Sequence, residues 1–286
     1  MKIAILYFSG SGNTELVVRK WKEEATLLNN DVDLFRIENN PEINYENYDK
    51  VCFAYPIHAF NAPKIVLRFA KSIKKQTKKI DYFVIMVSGE YLKLNNSSSS
   101  KLNSLLKHRN FKLISEYHYL MPYNMIFRHA DEMAFKMKEA IDVLLPNDVR
   151  NILNNKNNKL SKLPLIRPLI WAFRIEQIFA SINGKTFKID KDKCIKCMKC
   201  VNACPVHNID FKEGKFIFHN KCLMCTRCSF NCPKDAFNIG LLNGWRVNGR
   251  YSFINNNDLE SNKHKNYCKN SYKKYFESVK VILEEK

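Results

Sequence analysis

Glycine is scarce in this chain, eight residues in 286, and tryptophan scarcer still at three. With 45% hydrophobic residues, that composition excludes a collagen-like, low-complexity or disordered protein. Nowhere do some eighteen apolar residues run together, so no transmembrane helix is expected. The nearest stretch, 163–180, is broken by Arg167, Arg174, Glu176 and Gln177. The first apolar run, 3–8, is too short for a signal peptide and no small-residue cleavage site follows it, so a cytoplasmic chain is expected. Acidic residues are few, 28 against 47 basic, for a net charge of +19. Lysine supplies most of that excess (36 Lys to 11 Arg) alongside 33 Asn. This pattern fits a solvated lysine-rich surface. No recognition helix or aromatic RNA-binding motif accompanies it, so no specific nucleic-acid partner is expected.

Catalytic signatures are missing too. There is no Gly-Lys-Ser/Thr phosphate loop, no Gly-x-Gly-x-x-Gly fingerprint for NAD(P), and no Ser/His/Asp set or carboxylate pair that stands out by spacing. What is abundant is cysteine. Of ten, eight lie between Cys194 and Cys232, and only Cys52 and Cys268 stand apart. In a reducing compartment such crowding points to metal rather than disulfides.

Residues 1–150 alternate strand and helix patterns, with strands at 3–8, 32–37, 50–55, 80–87 and 111–120 and helices near 14–28, 64–73 and 129–145. Such alternation implies an α/β, doubly wound parallel sheet of five strands. Residues 151–184 read as a helical connector. Its stretch 160–182 is amphipathic, broken by Pro164 and Pro168, and carries Trp171, Phe173 and arginines, a composition also compatible with a membrane-surface helix. Residues 185–245 read as a small α+β unit around the cysteines, with a hairpin at 210–218 turning at Glu213-Gly214 and a further strand pair beyond Cys232. Residues 246–286 read as a polar tail ending in an amphipathic helix, about 272–284.

After the first strand comes Ser9-Gly10-Ser11-Gly12-Asn13-Thr14. Two of the eight glycines here let backbone approach a ligand, successive N–H groups can form an anion nest, and a helix N-terminus follows. Such a loop is suited to a phosphate. It resembles the FMN-phosphate loop of flavodoxins, matched by Ser9, Ser11, Gly12, Asn13 and Thr14, and the resemblance extends over about residues 1–145. It implies FMN as cofactor and places the flavin ring at two further strand ends. These are the loop 55–63, with Pro56, Ile57, His58 and Phe60, and the loop Ser88-Gly89-Glu90-Tyr91, with Ser88, Gly89 and Tyr91 as candidates. Flavodoxins are usually acidic, so this basic chain is expected to hold its flavin at a less extreme potential.

The cysteines form two runs, Cys194-x-x-Cys197-x-x-Cys200-x-x-x-Cys204-Pro205 and Cys222-x-x-Cys225-x-x-Cys228-x-x-x-Cys232-Pro233. Both resemble the two-cluster bacterial ferredoxin motif, in which the fourth cysteine ligates the other cluster. The resemblance implies two [4Fe–4S] clusters, one on Cys194, Cys197, Cys200 and Cys232, the other on Cys222, Cys225, Cys228 and Cys204. Zinc sites use Cys-x-x-Cys pairs separated by a long loop, which these runs do not match. Cys52 reads as a core residue, Cys268 as a free thiol, and His207 and His219 as surface groups. With cofactors bound, net charge falls to roughly +13.

The order of these parts resembles the flavodoxin–ferredoxin fusion proteins of anaerobes. That family implies intracellular electron transfer between the clusters and FMN, with redox partner proteins expected to be acidic. Two other readings stand beside it: a flavin-dependent reductase of a quinone-like acceptor, which would be an iron–sulfur flavoprotein oxidoreductase with substrate at 56–63 and 88–95, and a basic redox-sensing or binding protein. Nothing in the sequence speaks to the donor, the acceptor or the oligomeric state.

Overall fold

A computed structural model describes residues 1–163, 166–247, 249–253 and 269–284. Its larger part runs β1 (Lys2–Tyr7), α1 (Asn13–Leu27), β2 (Asp31–Arg36), β3 (Lys50–Pro56), α2 (Lys64–Ser72), β4 (Ile80–Ser88), α3 (Ser100–Lys107), β5 (Phe111–Leu120) and α4 (Asp131–Leu153). The five strands are all parallel, in the order β2-β1-β3-β4-β5.

Strict alternation along the strands divides the core in two. Ala4, Leu6, Val51, Phe53, Tyr55, Tyr82, Val84 and Met86 pack on the face of α2 and α3. Ile3, Ile5, Cys52, Ala54, Phe83, Ile85 and Val87 pack on the other face, against Val17, Val18 and Trp21 of α1 and Ile141, Leu145 and Val149 of α4. Apolar residues at every position, rather than every second one, are what a sheet covered on both faces requires. Cys52 is thus a core residue, as expected, and burial pushes its thiol well up.

Two departures from the sequence reading have local causes. Helix α4 does not stop at Leu145 but runs through Pro146 to Leu153. Proline removes one helical hydrogen bond, at a cost of ~3 kcal/mol. Val149 and Ile152 are fully buried beyond it, and two such side chains offset that cost at about 1.5–3 kcal/mol each. The strand pair expected beyond Cys232 is a single strand whose partner lies elsewhere, as follows.

Two short helices, α5 (Arg167–Phe173) and α6 (Ile175–Asn183), lead into the cysteine-rich part. It comprises β6 (Lys188–Ile189), α7 (Lys199–Asn202), the hairpin β7 (Ile209–Lys212) and β8 (Lys215–Phe218), α8 (Arg227–Phe230) and β9 (Phe237–Asn238). β9 pairs with β6, so the two ends of this part close on each other. The hairpin turns where expected, with Glu213 and Gly214 both at positive φ. The second half repeats the first 28 positions later: the eight cysteines, α7 and α8, and the left-handed residues Lys196, Met198 and His207 against Met224, Thr226 and Asp235 all follow that offset.

The tail docks on the larger part. Val247 and Tyr251 pack with Ala134 and Phe230, and α9 (Lys269–Glu284) lays Tyr272, Tyr275 and Val279 on Leu120, Met137 and Ala140. Cys268 lies outside the described residues.

Candidate flavin and cluster sites

The carboxyl ends of β1, β3, β4 and β5 surround a cavity of about 320 Å³. Ser9, Gly10, Ser11, Asn13 and Thr14 line one wall, Pro56, Ile57, His58 and Phe60 a second, and Ser88 and Gly89 a third. The chain turns into α1 at Gly12, whose φ of 112° favours glycine. Ser9 Oγ accepts the Glu15 N–H at 3.2 Å, fixing the first turn. The Thr14 hydroxyl is buried without a hydrogen-bond partner in the protein. An unpaired buried hydroxyl costs free energy unless a ligand meets it. It lies beside an anion-favouring loop and helix N-terminus, so the residues fit a phosphate-bearing group such as FMN.

The second wall is held by an unusual turn. Ala59 and Phe60 both have positive φ, 48° and 58°, inside a closed pair of hydrogen bonds between His58 and Asn61. Strain in two non-glycine residues persists where surroundings enforce it. Here Asn61 Nδ2 donates to the carbonyls of Ala59 and Ile170, and the Phe60 ring meets Phe173 edge-on at 5.0 Å. Burial pushes His58 down to about 4. On the third wall, Ser88 Oγ lies 2.6 Å from His118 Nε2, and the Tyr123 ring covers Gly89 so closely that any Cβ there would lie 2.6 Å from it.

Tyr91, grouped with the ring loops by sequence, is not part of the wall. It stacks on His118 at 5.2 Å and packs on Tyr275 of α9. Gly12 shapes the loop without lining the cavity. Three contributions escaped the sequence reading. The segment after β5 supplies Met121, Pro122, Tyr123 and Asn124, and it ties down the phosphate loop through Asn13 Nδ2 to Pro122 O and Asn124 Nδ2 to Ser11 Oγ. Ile126 adds to the rim, and α6 contributes Glu176, whose carboxyl is raised by burial.

The eight clustered cysteines line two voids. One is bordered by Cys204, Cys222, Cys225 and Cys228, the other by Cys194, Cys197, Cys200 and Cys232, with Cys228 reaching both. Each set combines three thiols of one run with the last thiol of the other, the crossed pairing that the motif implied. Among the described residues, no three His, Cys, Asp or Glu side chains are arranged to hold a single metal ion. Four thiols around one void suit a polynuclear cluster instead. Backbone N–H groups point at the sulfurs in matching places: Asn208 N to Cys204 Sγ at 3.2 Å and, 28 positions on, Ala236 N to Cys232 Sγ at 3.3 Å. Burial pushes Cys200 and Cys225 to about 11 and Cys222 to about 12, so loading the site must displace protons. His207 is exposed, His219 pairs with Asp210 at 2.9 Å, and neither lines a void.

The two sets differ in surroundings. Cys197 is exposed, with exposed Lys191, Lys193, Lys196 and Lys199 near it in sequence. The other set abuts the larger part. Leu223 enters its core, and a Cβ on Gly10 of the phosphate loop would lie 2.5 Å from the Cys225 carbonyl oxygen. Arg227, between Cys225 and Cys228, fastens this contact. It donates to the carbonyls of Ser9 (2.6 Å), Gly10 (3.1 Å) and Ala203 (3.0 Å), and pairs with Glu38 at 2.7 Å. Arginine is the scarcer basic residue here, and position 199 in the first run is Lys. That asymmetry was the available signal for Arg227.

Comparison with known proteins matches residues 4–116 to a flavodoxin domain and residues 193–236 to a 4Fe-4S dicluster domain. Solved structures with related folds include a short-chain flavodoxin associated with a non-canonical PDU bacterial microcompartment, at 15% identity over 55% of this chain and 99% of that one, TM-score 0.42. A flavoprotein in complex with FMN from Lactobacillus acidophilus shares 17% identity over 41% of this chain and 92% of that one, TM-score 0.34. Flavodoxin 1 from Bacillus cereus shares 18% identity over 50% of this chain and 95% of that one, TM-score 0.36. No curated protein matches. The fold is flavodoxin-like, joined to a dicluster ferredoxin region, and the cofactors of this pair of domains are [4Fe–4S] clusters and FMN. No helix among the described residues is long and apolar enough to cross a membrane.

Proposed function

We propose that this flavodoxin–ferredoxin fusion relays electrons between two [4Fe–4S] clusters and a flavodoxin-type FMN. The clusters supply single-electron transfer, and the flavin takes one electron or two. In this reading Cys194, Cys197, Cys200 and Cys232 hold the outer cluster, and Cys204, Cys222, Cys225 and Cys228 the inner one. Ser9, Ser11, Gly12, Asn13 and Thr14 hold the phosphate, while Pro56, Ile57, His58, Phe60, Ser88 and Gly89 flank the ring. The flavin unit spans about 1–150, the connector 151–184, the cluster unit 185–245 and the tail 246–286.

One observation carries the proposal: the backbone of Cys225 rests on Gly10 of the phosphate loop, with Arg227 pinning the two together. The chain thereby sets an inner thiol set against the flavin cavity while Cys197 of the other set faces solvent. The exposed lysines beside that face suit an acidic redox protein as partner, drawn in electrostatically.

Anaerobic purification with iron, sulfide and flavin counted per chain tests the reading. About eight irons, eight sulfides and one FMN, all reducible by dithionite, are expected. Eight irons without flavin, even after adding FMN, would leave a ferredoxin carried on an inert fold.

A further inference from the structure

Helix α6 is built inside out for a soluble protein. Ile175, Ile178, Phe179 and Ile182 fall at i, i+3, i+4 and i+7, one continuous stripe. Such a stripe normally faces the core, yet these four side chains are 41–70% exposed. The contacts to the rest of the protein come largely from polar positions. Gln177 Nε2 donates to Ala62 O, Ser181 Oγ to Cys222 O, and Asn183 Nδ2 to Ile239 O, with Ala180 the small buried residue among them. On α5, Leu169 and Trp171 are also exposed, Trp171 at 72%.

The charged residues that border the two helices in sequence are basic: Arg174 lies between them and exposed Lys185 follows α6. Glu176 is the lone carboxylate on the two helices, and it lines the flavin cavity. Tryptophan, phenylalanine and isoleucine flanked by basic residues form the combination that settles at the boundary of lipid headgroups and acyl chains. A net charge of +19, roughly +13 with cofactors bound, favours an anionic surface over a neutral one.

We infer that α5 and α6 form a docking face for an anionic lipid bilayer, on which the protein lies peripherally without spanning it. The same docking turns the helix bearing Glu176, and with it one wall of the flavin cavity, toward the membrane. The inference stands on the exposed stripe and its charge, independently of electron transfer.

Flotation of the full, cofactor-loaded chain with phosphatidylcholine vesicles, with and without phosphatidylglycerol, tests it. Binding to the phosphatidylglycerol vesicles is expected, weakening as salt rises, with a blue shift of tryptophan emission that is lost in Trp171→Phe. The double variant Ile178→Ser, Ile182→Ser changes only exposed side chains, and its unfolding temperature should match the parent. Its vesicle affinity should fall roughly tenfold or more. Failure to float with the anionic vesicles overturns the inference, as does equal binding to the neutral ones. Undiminished binding by the double variant would assign the attraction to general basic charge. A parent that self-associates through this stripe, with a monomeric variant, would make a second copy the occupant and equally overturn it.

Discussion

Arg227 is the side chain on which the contact between the two parts turns. Its guanidinium satisfies three carbonyls and the nearly buried Glu38. Truncation in Arg227→Ala leaves that carboxylate with only the longer Arg36 contact at 3.3 Å, at a cost of at most about 3 kcal/mol in unfolding free energy. Flavin retention should fall with it, since the same group fixes Ser9 and Gly10. Arg227→Lys should recover little of either loss, because an ammonium cannot reproduce the planar fork. Denaturant unfolding and flavin release measure the two effects, and full retention of flavin by Arg227→Ala would refute the clamp. The two loop glycines separate sterics from strain. Gly10→Ala drives a Cβ into the Cys225 carbonyl, so it should disturb both flavin and cluster loading. Gly12→Ala meets open space and carries only the positive-φ penalty, ~1–2 kcal/mol; cofactor loading of the two variants should differ accordingly. His118 provides a pH test. Burial lowers it to about 3 while Asn96 Oδ1 and Ser88 Oγ occupy its ring nitrogens. The unfolded chain binds this proton near 6.5, the folded one near 3. Stability from the neutral ring is therefore complete above 6.5 and drains as pH falls toward 3. The slope is at most ~1.4 kcal/mol per pH unit for this group. His118→Gln should flatten the stability profile in that window; an unchanged slope would show that other groups set the acid limit.

At the level of elements, most of the fold was readable. The runs 3–8, 51–55 and 82–87 are apolar at every position, the pattern of parallel strands in a sheet with helices on each face. The bounds of β5 followed from its sequence, but not its register. A shift against β4 after Tyr82 puts Tyr117 and Tyr119 on the face opposite Phe111 and Leu113, and so leaves Glu116 and His118 on the side of Phe111. There Glu116 meets Ser99 and Lys162. Nothing local in 111–120 announces such a slip. Likewise the far end of α4 depended on burial of Val149 and Ile152, a tertiary effect that overrode the proline signal. The cysteine runs were legible because three-residue spacing and the terminal Cys-Pro are local facts, and the 28-residue repeat folds both halves alike. The crossed pairing makes a clean expectation. Cys204→Ser, in the first run, should deplete the inner cluster beside the flavin; Cys232→Ser, in the second run, should deplete the outer one. Iron content and the electron paramagnetic resonance of the remaining cluster would distinguish them, and the reverse assignment would exclude crossing.

For the whole molecule, what sequence could not convey was relative placement. The phosphate loop and the second cysteine run lie more than 200 positions apart. Their contact depends on a glycine with no side chain and an arginine inside a ligand spacer, neither distinctive alone. Glu176 and Tyr123 reached the flavin cavity from a connector and a loop for the same reason: strand-end sites collect residues from distant segments. The tail seemed separable in sequence, yet Tyr272 donates to Gly89 O on the cavity wall at 2.8 Å and bonds His129 Nε2 at 2.9 Å. Tyr272→Phe should therefore weaken flavin binding several-fold, a change of roughly 1 kcal/mol, readable by flavin titration of the deflavinated protein. The basic surface bears on partners at this scale. Reduction by an acidic protein donor should slow steeply with ionic strength, and a rate insensitive to salt would remove charge from the recognition.

The relay itself is tested most directly by anaerobic rapid mixing of the fully loaded protein with a sub-stoichiometric one-electron donor, following cluster and flavin absorbance separately. Electrons that enter at the clusters should redistribute to the flavin at a rate independent of protein concentration and slowed in Arg227→Ala. A redistribution rate proportional to protein concentration, or a flavin that stays oxidised while the clusters are reduced and its potential permits transfer, would contradict an internal path between them.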